Sequence, residues 1–144
     1  MKRIYKLMSI LNKINYYKES LECFDETMEK YKFLLDQGKK SLPFPEEFRQ
    51  NSFKVSGCQS QVWLVPYMKN KLLYFHSDSD AFIAKGMVTI LCDIFGGQTP
   101  EEINNIKLDL LDILNLNVLL TPGRRNGVYA MLLKIKEHAK SQCK

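Results

Sequence analysis

The hydrophobic positions of this chain change period twice. From about residue 4 to 37 they recur at helical spacing, in two pieces. Ile4, Leu7, Met8, Leu11 and Ile14 share one side of a first helix. Met28, Tyr31, Leu34 and Leu35 repeat the pattern in a second, with Asp25 as its N-cap and Gly38 as its stop. Leu42-Pro43-Phe44-Pro45 is a stiff extended connector, because each proline fixes its own φ and disfavours helix before it. From Phe53 to about Ser77 the pattern turns strand-like. Val62 to Tyr67 is β-branched, aromatic or aliphatic, and Pro66 points to an edge or a strand end. Lys69-Asn70-Lys71 reads as a turn into an antiparallel strand, Leu72 to His76.

The helical period then returns. Ser77-Asp78-Ser79-Asp80 is a cluster of helix-starting residues. Ala81 to Phe95 is apolar almost all round, which places that helix at the centre of the core, and Gly96-Gly97 ends it. Thr99-Pro100-Glu101-Glu102 supplies a cap, an N1 proline and acids at the positive end of the next helix. A short helix follows near Asp109 to Leu114, and a last one from about Arg125 to Ala139, with Val128, Met131, Leu132, Ile135 and Ala139 on one face. The order predicts an α+β fold: N-terminal helices, a small antiparallel sheet of about three strands, then C-terminal helices on one face. At 144 residues and 45% hydrophobic content, residues 1–144 suit a single domain with one core.

Charge adds little to this picture. The net charge of +5 is uneven: residues 76–112 hold two basic and seven acidic side chains, residues 124–144 six basic and one acidic. A basic face suits nucleic acid or an acidic protein surface, but it also suits plain solvation, and no nucleic-acid motif is present. Asn12 and Lys13 interrupt the N-terminal apolar stretch too early for a secretory signal. The apolar run Val62 to Met68 contains Pro66 and is too short to span a bilayer. The expectation is a cytoplasmic protein with no membrane and no nucleic-acid partner.

The candidate chemistry lies in the cysteines. Cys23, Cys58, Cys92 and Cys143 form no C-x-x-C pair, so a structural zinc site is not expected and the metal assignment is none. Cys23 and Cys92 fall inside helical patterns, where a free cysteine acts as a small buried hydrophobe. Cys143 falls in a polar tail that frays. Cys58 follows Gly57 at the join between a short strand and the main strand, flanked by Gln59, Ser60 and Gln61. A hydrolase would need a histidine base. His76 is one strand away and His138 reads as a surface residue in the last helical turn; nothing pairs either with Cys58. A sulfur carrier needs less: a thiolate that attacks a terminal sulfur, holds the persulfide and releases it.

The segment Val55-Ser56-Gly57-Cys58-Gln59-Ser60-Gln61-Val62-Trp63-Leu64 resembles the signature of the SufE/CsdE sulfur acceptors. Ser77 to Gly86 resembles that family's second motif and Leu120 to Gly127 its third, so the resemblance covers about residues 20–138. It implies a SufE/IscU-like α+β fold. It also implies a carrier and activator, not a free-standing enzyme. Such a protein takes persulfide sulfur onto Cys58 from a SufS/CsdA-like cysteine desulfurase, stimulates it, and passes the sulfur to a SufBCD-like scaffold for iron–sulfur cluster assembly. No cofactor of its own is implied; the desulfurase uses PLP. Asp80 and Arg124 match positions that engage the desulfurase, and Gly57 and Gln59 belong to the docking tip. Two residues depart from the pattern: Gly123 stands where a serine is usual, and Thr27 where a tryptophan is common.

The residues themselves add some support. Arg124 and Arg125 fall at or just before a helix N-terminus, where positive charge opposes the macrodipole by about 0.3–1 kcal/mol. An acidic partner or a nearby thiolate would favour arginine there; extension into solvent is the plain alternative. Asp80 has its own alternative, as cap of the central helix. If the strand begins at the cysteine, Cys58 shares a face with Val62 and Leu64, and the resting thiol tucks toward the core. The alternative function is an iron–sulfur or zinc scaffold of similar fold, which needs three or four clustered ligands.

Overall fold

The computed structural model describes residues 9–107 and 109–143. Two helices come first, α1 (Ile10–Glu22) and α2 (Thr27–Lys39). Two 3-10 turns, Glu46–Phe48 and Asn51–Phe53, lead to the hairpin β1 (Val62–Lys69) and β2 (Leu72–Ser79). Then come α3 (Phe82–Phe95), α4 (Pro100–Asn105), α5 (Leu110–Ile113), α6 (Leu116–Leu119) and the long α7 (Pro122–Gln142). The α+β order is as expected, but the sheet has two strands, not three. The strand-like run before Val62 makes one bridge, Lys54 to Trp63, because the 3-10 turn ending at Phe53 bends the chain away. Each strand has one neighbouring strand in the sheet, so Pro66 can sit where its missing N–H faces away from the ladder.

The predicted face of α1 is displaced. Ile4, Leu7 and Met8 lie outside the described residues. Ile10, Ile14, Tyr17 and Leu21 are buried, and so is Lys13, while Leu11 is 58% exposed. Lys13 faces inward because its Nζ donates to the carbonyls of Asp93 (2.7 Å) and Gly96 (3.0 Å), free acceptors at the C-terminal end of α3. Tyr17 donates its hydroxyl hydrogen to Asp93 beside it. A lysine thus serves as a cap on another helix.

Glycine marks a crossing where a stop was expected. α2 continues through Gly38 to Lys39. A Cβ on Gly86 of α3 would lie 2.1 Å from the Leu34 carbonyl oxygen, and one on Gly38 would lie 3.1 Å from the Gly86 nitrogen. The two backbones touch there, which only glycine allows. Asp25 does not cap α2; Glu26 holds that position, without a side-chain bond, and Met28 is 74% exposed. Ser77 to Ser79 extend β2 instead of starting a helix, and Ala81 is the N-cap of α3. Val88, Ile90, Leu91, Ile94 and Phe95 of α3 are fully covered, so this helix is the core, with Phe82 alone strongly exposed at its start. Gly96 ends it and Thr99 caps α4, as read, and the short helix expected near Asp109 to Leu114 is α5, capped by Asp109. α7 starts three residues before Arg125, at Pro122, with Thr121 accepting from Arg124 N.

Candidate functional site

The chain between the first bridge and β1 is pulled tight at both ends. Val55 N donates to Val62 O (2.8 Å), closing a loop that contains the cysteine. Gly57 turns it at φ +91°, a conformation open to glycine. Cys58 lies in this loop and not in β1, which begins at Val62, so the shared strand face does not exist. The thiol nevertheless points inward. It is half-buried, packs against the core and donates to the Gly127 carbonyl of α7 at 3.6 Å. Burial pushes its pKa up. A bond donated by the S–H also favours the protonated form.

Beside Cys58 is a cavity of about 90 Å³ between the loop, α3 and α7. Ile83, Ala84, Met87 and Met131 give it apolar walls; Gln59 and Arg124 bring polar groups to it. The tertiary structure therefore brings Cys58, Gln59 and Arg124 together around one space. Gly57 and Asp80 are not on its wall. Gly57 faces Ala130 of α7. Asp80 does not cap α3: its carboxylate accepts from Gln61 N (2.9 Å) and Gln61 Nε2 (3.1 Å), fastening the end of the loop. Ser79 completes that fastening by donating its hydroxyl hydrogen to Gln61 O (2.7 Å).

Sequence reasoning missed Ser79 and Gly127 as parts of the site, and missed that Gln61 fastens the loop. Gln61 stands in the quoted motif, but its partner is nineteen positions away, so no local signal identifies it. Arg124 is exposed, as expected of a residue free to meet a partner, whereas Arg125 donates to Asn117 O (3.3 Å) and so helps hold α6.

The other candidates separate from the site. His76 is stacked between Tyr67 (4.5 Å) and Phe48 (5.6 Å), away from the cavity wall. His138 is not a surface cation: it lies against Phe75, and burial lowers its pKa. Cys92 packs on the core, where burial pushes its thiol up to about 12. Cys23 is exposed at the end of α1 instead of buried, because the helix stops there. Cys143 is the C-cap of α7, its backbone N–H donating to Ala139 O and Lys140 O. Among the described residues no three His, Cys, Asp or Glu side chains cluster to hold a metal ion, and no helix is long and apolar enough to cross a membrane.

Residues 15–139 match the SufE family, described as an Fe-S metabolism associated domain. The chain belongs to the SufE family. It is 37% identical over 123 residues to an uncharacterised SufE-like protein of Rhizobium meliloti, covering 82% of this chain and 88% of that one. It is 33% identical over 132 residues to the cysteine desulfuration protein SufE of Wigglesworthia glossinidia brevipalpis, covering 90% and 91%. The solution structure of a hypothetical protein from Thermus thermophilus superposes with a TM-score of 0.75 at 18% identity, over 90% of this chain and 95% of that one. That likeness confirms the α+β fold.

Proposed function

We propose that this SufE-family chain is a sulfur acceptor and carrier whose working atom is Cys58 Sγ. It receives sulfur from a PLP-dependent cysteine desulfurase, raises that enzyme's turnover, and passes the sulfur on for iron–sulfur cluster assembly. The Cys58 thiolate attacks the terminal sulfur of the desulfurase persulfide. A new S–S bond forms on Cys58 as the old one breaks, and the electron pair leaves on the desulfurase thiolate. The thiol proton is lost beforehand, and no external oxidant is needed.

The observation that carries this reading is the placing of Cys58: a loop thiol, half-buried beside a small cavity that Arg124 also lines. A thiol held protonated by burial and by Gly127 O is poorly nucleophilic at rest, which protects it from oxidation. Lifting the loop removes both restraints, and a cation such as Arg124 then favours the thiolate. We assign Asp80, Arg124, Gly57 and Gln59 to the surface that meets the desulfurase. Asp80 has a second duty there, since its bonds to Gln61 must hold or release the loop.

The test mixes the protein with a cysteine desulfurase, cysteine and PLP. Mass spectrometry should find one added sulfur atom on the Cys58 peptide, together with faster desulfurase turnover. No added sulfur and unchanged turnover would remove the proposal.

A further inference from the structure

Three successive loop residues lie along one stripe of α7. A Cβ on Gly57 would meet the Ala130 Cβ at 3.4 Å. Cys58 Sγ donates to Gly127 O at 3.6 Å. A Cβ on Gly123 would lie 2.5 Å from both Cδ and Nε2 of Gln59 and 2.6 Å from its Oε1. Positions 123, 127 and 130 share a helix face, so the loop runs antiparallel to the helix over small residues.

The contact at Gly123 is the unusual one. Its three nearest neighbours all belong to the Gln59 carboxamide, which occupies the space of a missing side chain. No Cβ sits so close to other atoms, so only glycine at 123 lets Gln59 take this position. Gln59 is exposed, so the seat buries little apolar surface and acts on position more than on stability.

We propose that Gly123 and Gln59 form a seat that positions Cys58 in its retracted place against Gly127. This deepens the reading of Cys58 as the working thiol and rests on it for its biological meaning. The planar peptide joining Cys58 to Gln59 couples the two residues, so a carboxamide seated on Gly123 limits how far the Cys58 backbone can move from Gly127. Displacing the carboxamide frees the loop to lift, and Sγ leaves Gly127 O for solvent. Both are positioning residues: neither touches the sulfur being transferred.

The test is the rate at which iodoacetamide alkylates Cys58 in the native protein, followed by mass spectrometry. Exposed Cys23 serves as the reference thiol in the same sample. Gly123→Ala intrudes only on the movable end of Gln59 and raises helix propensity, so its melting temperature should not fall. The Cys58-to-Cys23 rate ratio should rise about fivefold, which is ~1 kcal/mol at 1.4 kcal/mol per tenfold. Gln59→Ala should raise it similarly, and the double variant should exceed neither. An unchanged ratio in Gly123→Ala overturns the proposal, as do effects that multiply in the double variant. Should Gly123→Ala fail to fold, Gln59→Ala alone decides: an unchanged ratio overturns the seat. No desulfurase is present, so a failure of sulfur transfer and a failure of the seat are read separately.

Discussion

Two consecutive loops lie on this fold, residues 40–53 and 54–61, and they are fastened differently. The first is clamped by rings and charge. The Arg49 guanidinium lies over Phe44 (5.1 Å) and Trp63 (4.8 Å) and bonds to Asp78 at 2.8 Å. Phe48 packs on Phe53 (5.7 Å) and His76 (5.6 Å). The second is held by Asp80 on Gln61, by Cys58 on Gly127 O, and by Gln59 on Gly123. Removing stacked rings from one another exposes apolar area, at about 25 cal/mol per Å². Exchanging an exposed hydrogen bond for one to water costs far less. The thiol loop is thus the more weakly fastened of the two.

The comparison breaks most sharply at Cys58. Cys58→Ser should abolish sulfur acceptance, read by mass spectrometry, while urea unfolding shifts by no more than about 0.5–1 kcal/mol. A large loss of stability would mean that the thiol loop is structural like its neighbour.

A pH series is the next largest effect. Because burial raises the Cys58 pKa, its thiolate is scarce at neutral pH in the free protein. Alkylation should rise close to tenfold per pH unit and level off only above about 8.5, the ordinary thiol value. A plateau below pH 8 would contradict the retracted thiol.

Arg49→Ala tests the other loop. It should lower unfolding stability by about 1–2 kcal/mol, from lost ring contacts and a partly buried ion pair, and leave Cys58 alkylation nearly unchanged. Accelerated alkylation would show that the two loops move together. Asp80→Asn should do the reverse, raising Cys58 alkylation roughly threefold with under about 0.5 kcal/mol lost, since its partner Gln61 is exposed. The smallest effect on Cys58 is expected at the hairpin turn, residues 70–71, at the other end of the strands from the thiol loop. Lys71 sits at φ +67°, so Lys71→Gly should stabilise the protein by about 0.5–1 kcal/mol in thermal melting, with Cys58 unaffected.

Much of the fold was legible because it is written locally. Thr99-Pro100 marked a helix start correctly, and Thr121-Pro122 carries the same signal. The start of α7 nonetheless lies three residues before Arg125, where Thr121 caps the helix and Pro122 opens it. Gly38 looked like a stop because the crossing helix that needs it is absent from any local window. Lys13 read only as a break in the N-terminal apolar stretch, because its acceptors are eighty or more positions away. At the site, Cys58 and its motif were readable; Ser79, Gly127 and the fastening role of Gln61 were not, since each acts through a distant partner.

The sequence by itself determined the order of elements, the apolar central helix, the hairpin and the one cysteine set among turn residues. These depend on periodicity, caps and glycine punctuation, which act within a few residues. Only the tertiary structure decided where the thiol points, what fastens its loop, and why Gly123 is glycine. Burial, close backbone approach and hydrogen-bond partners at long separation are properties of surfaces brought together, and no single surface carries them in its own pattern.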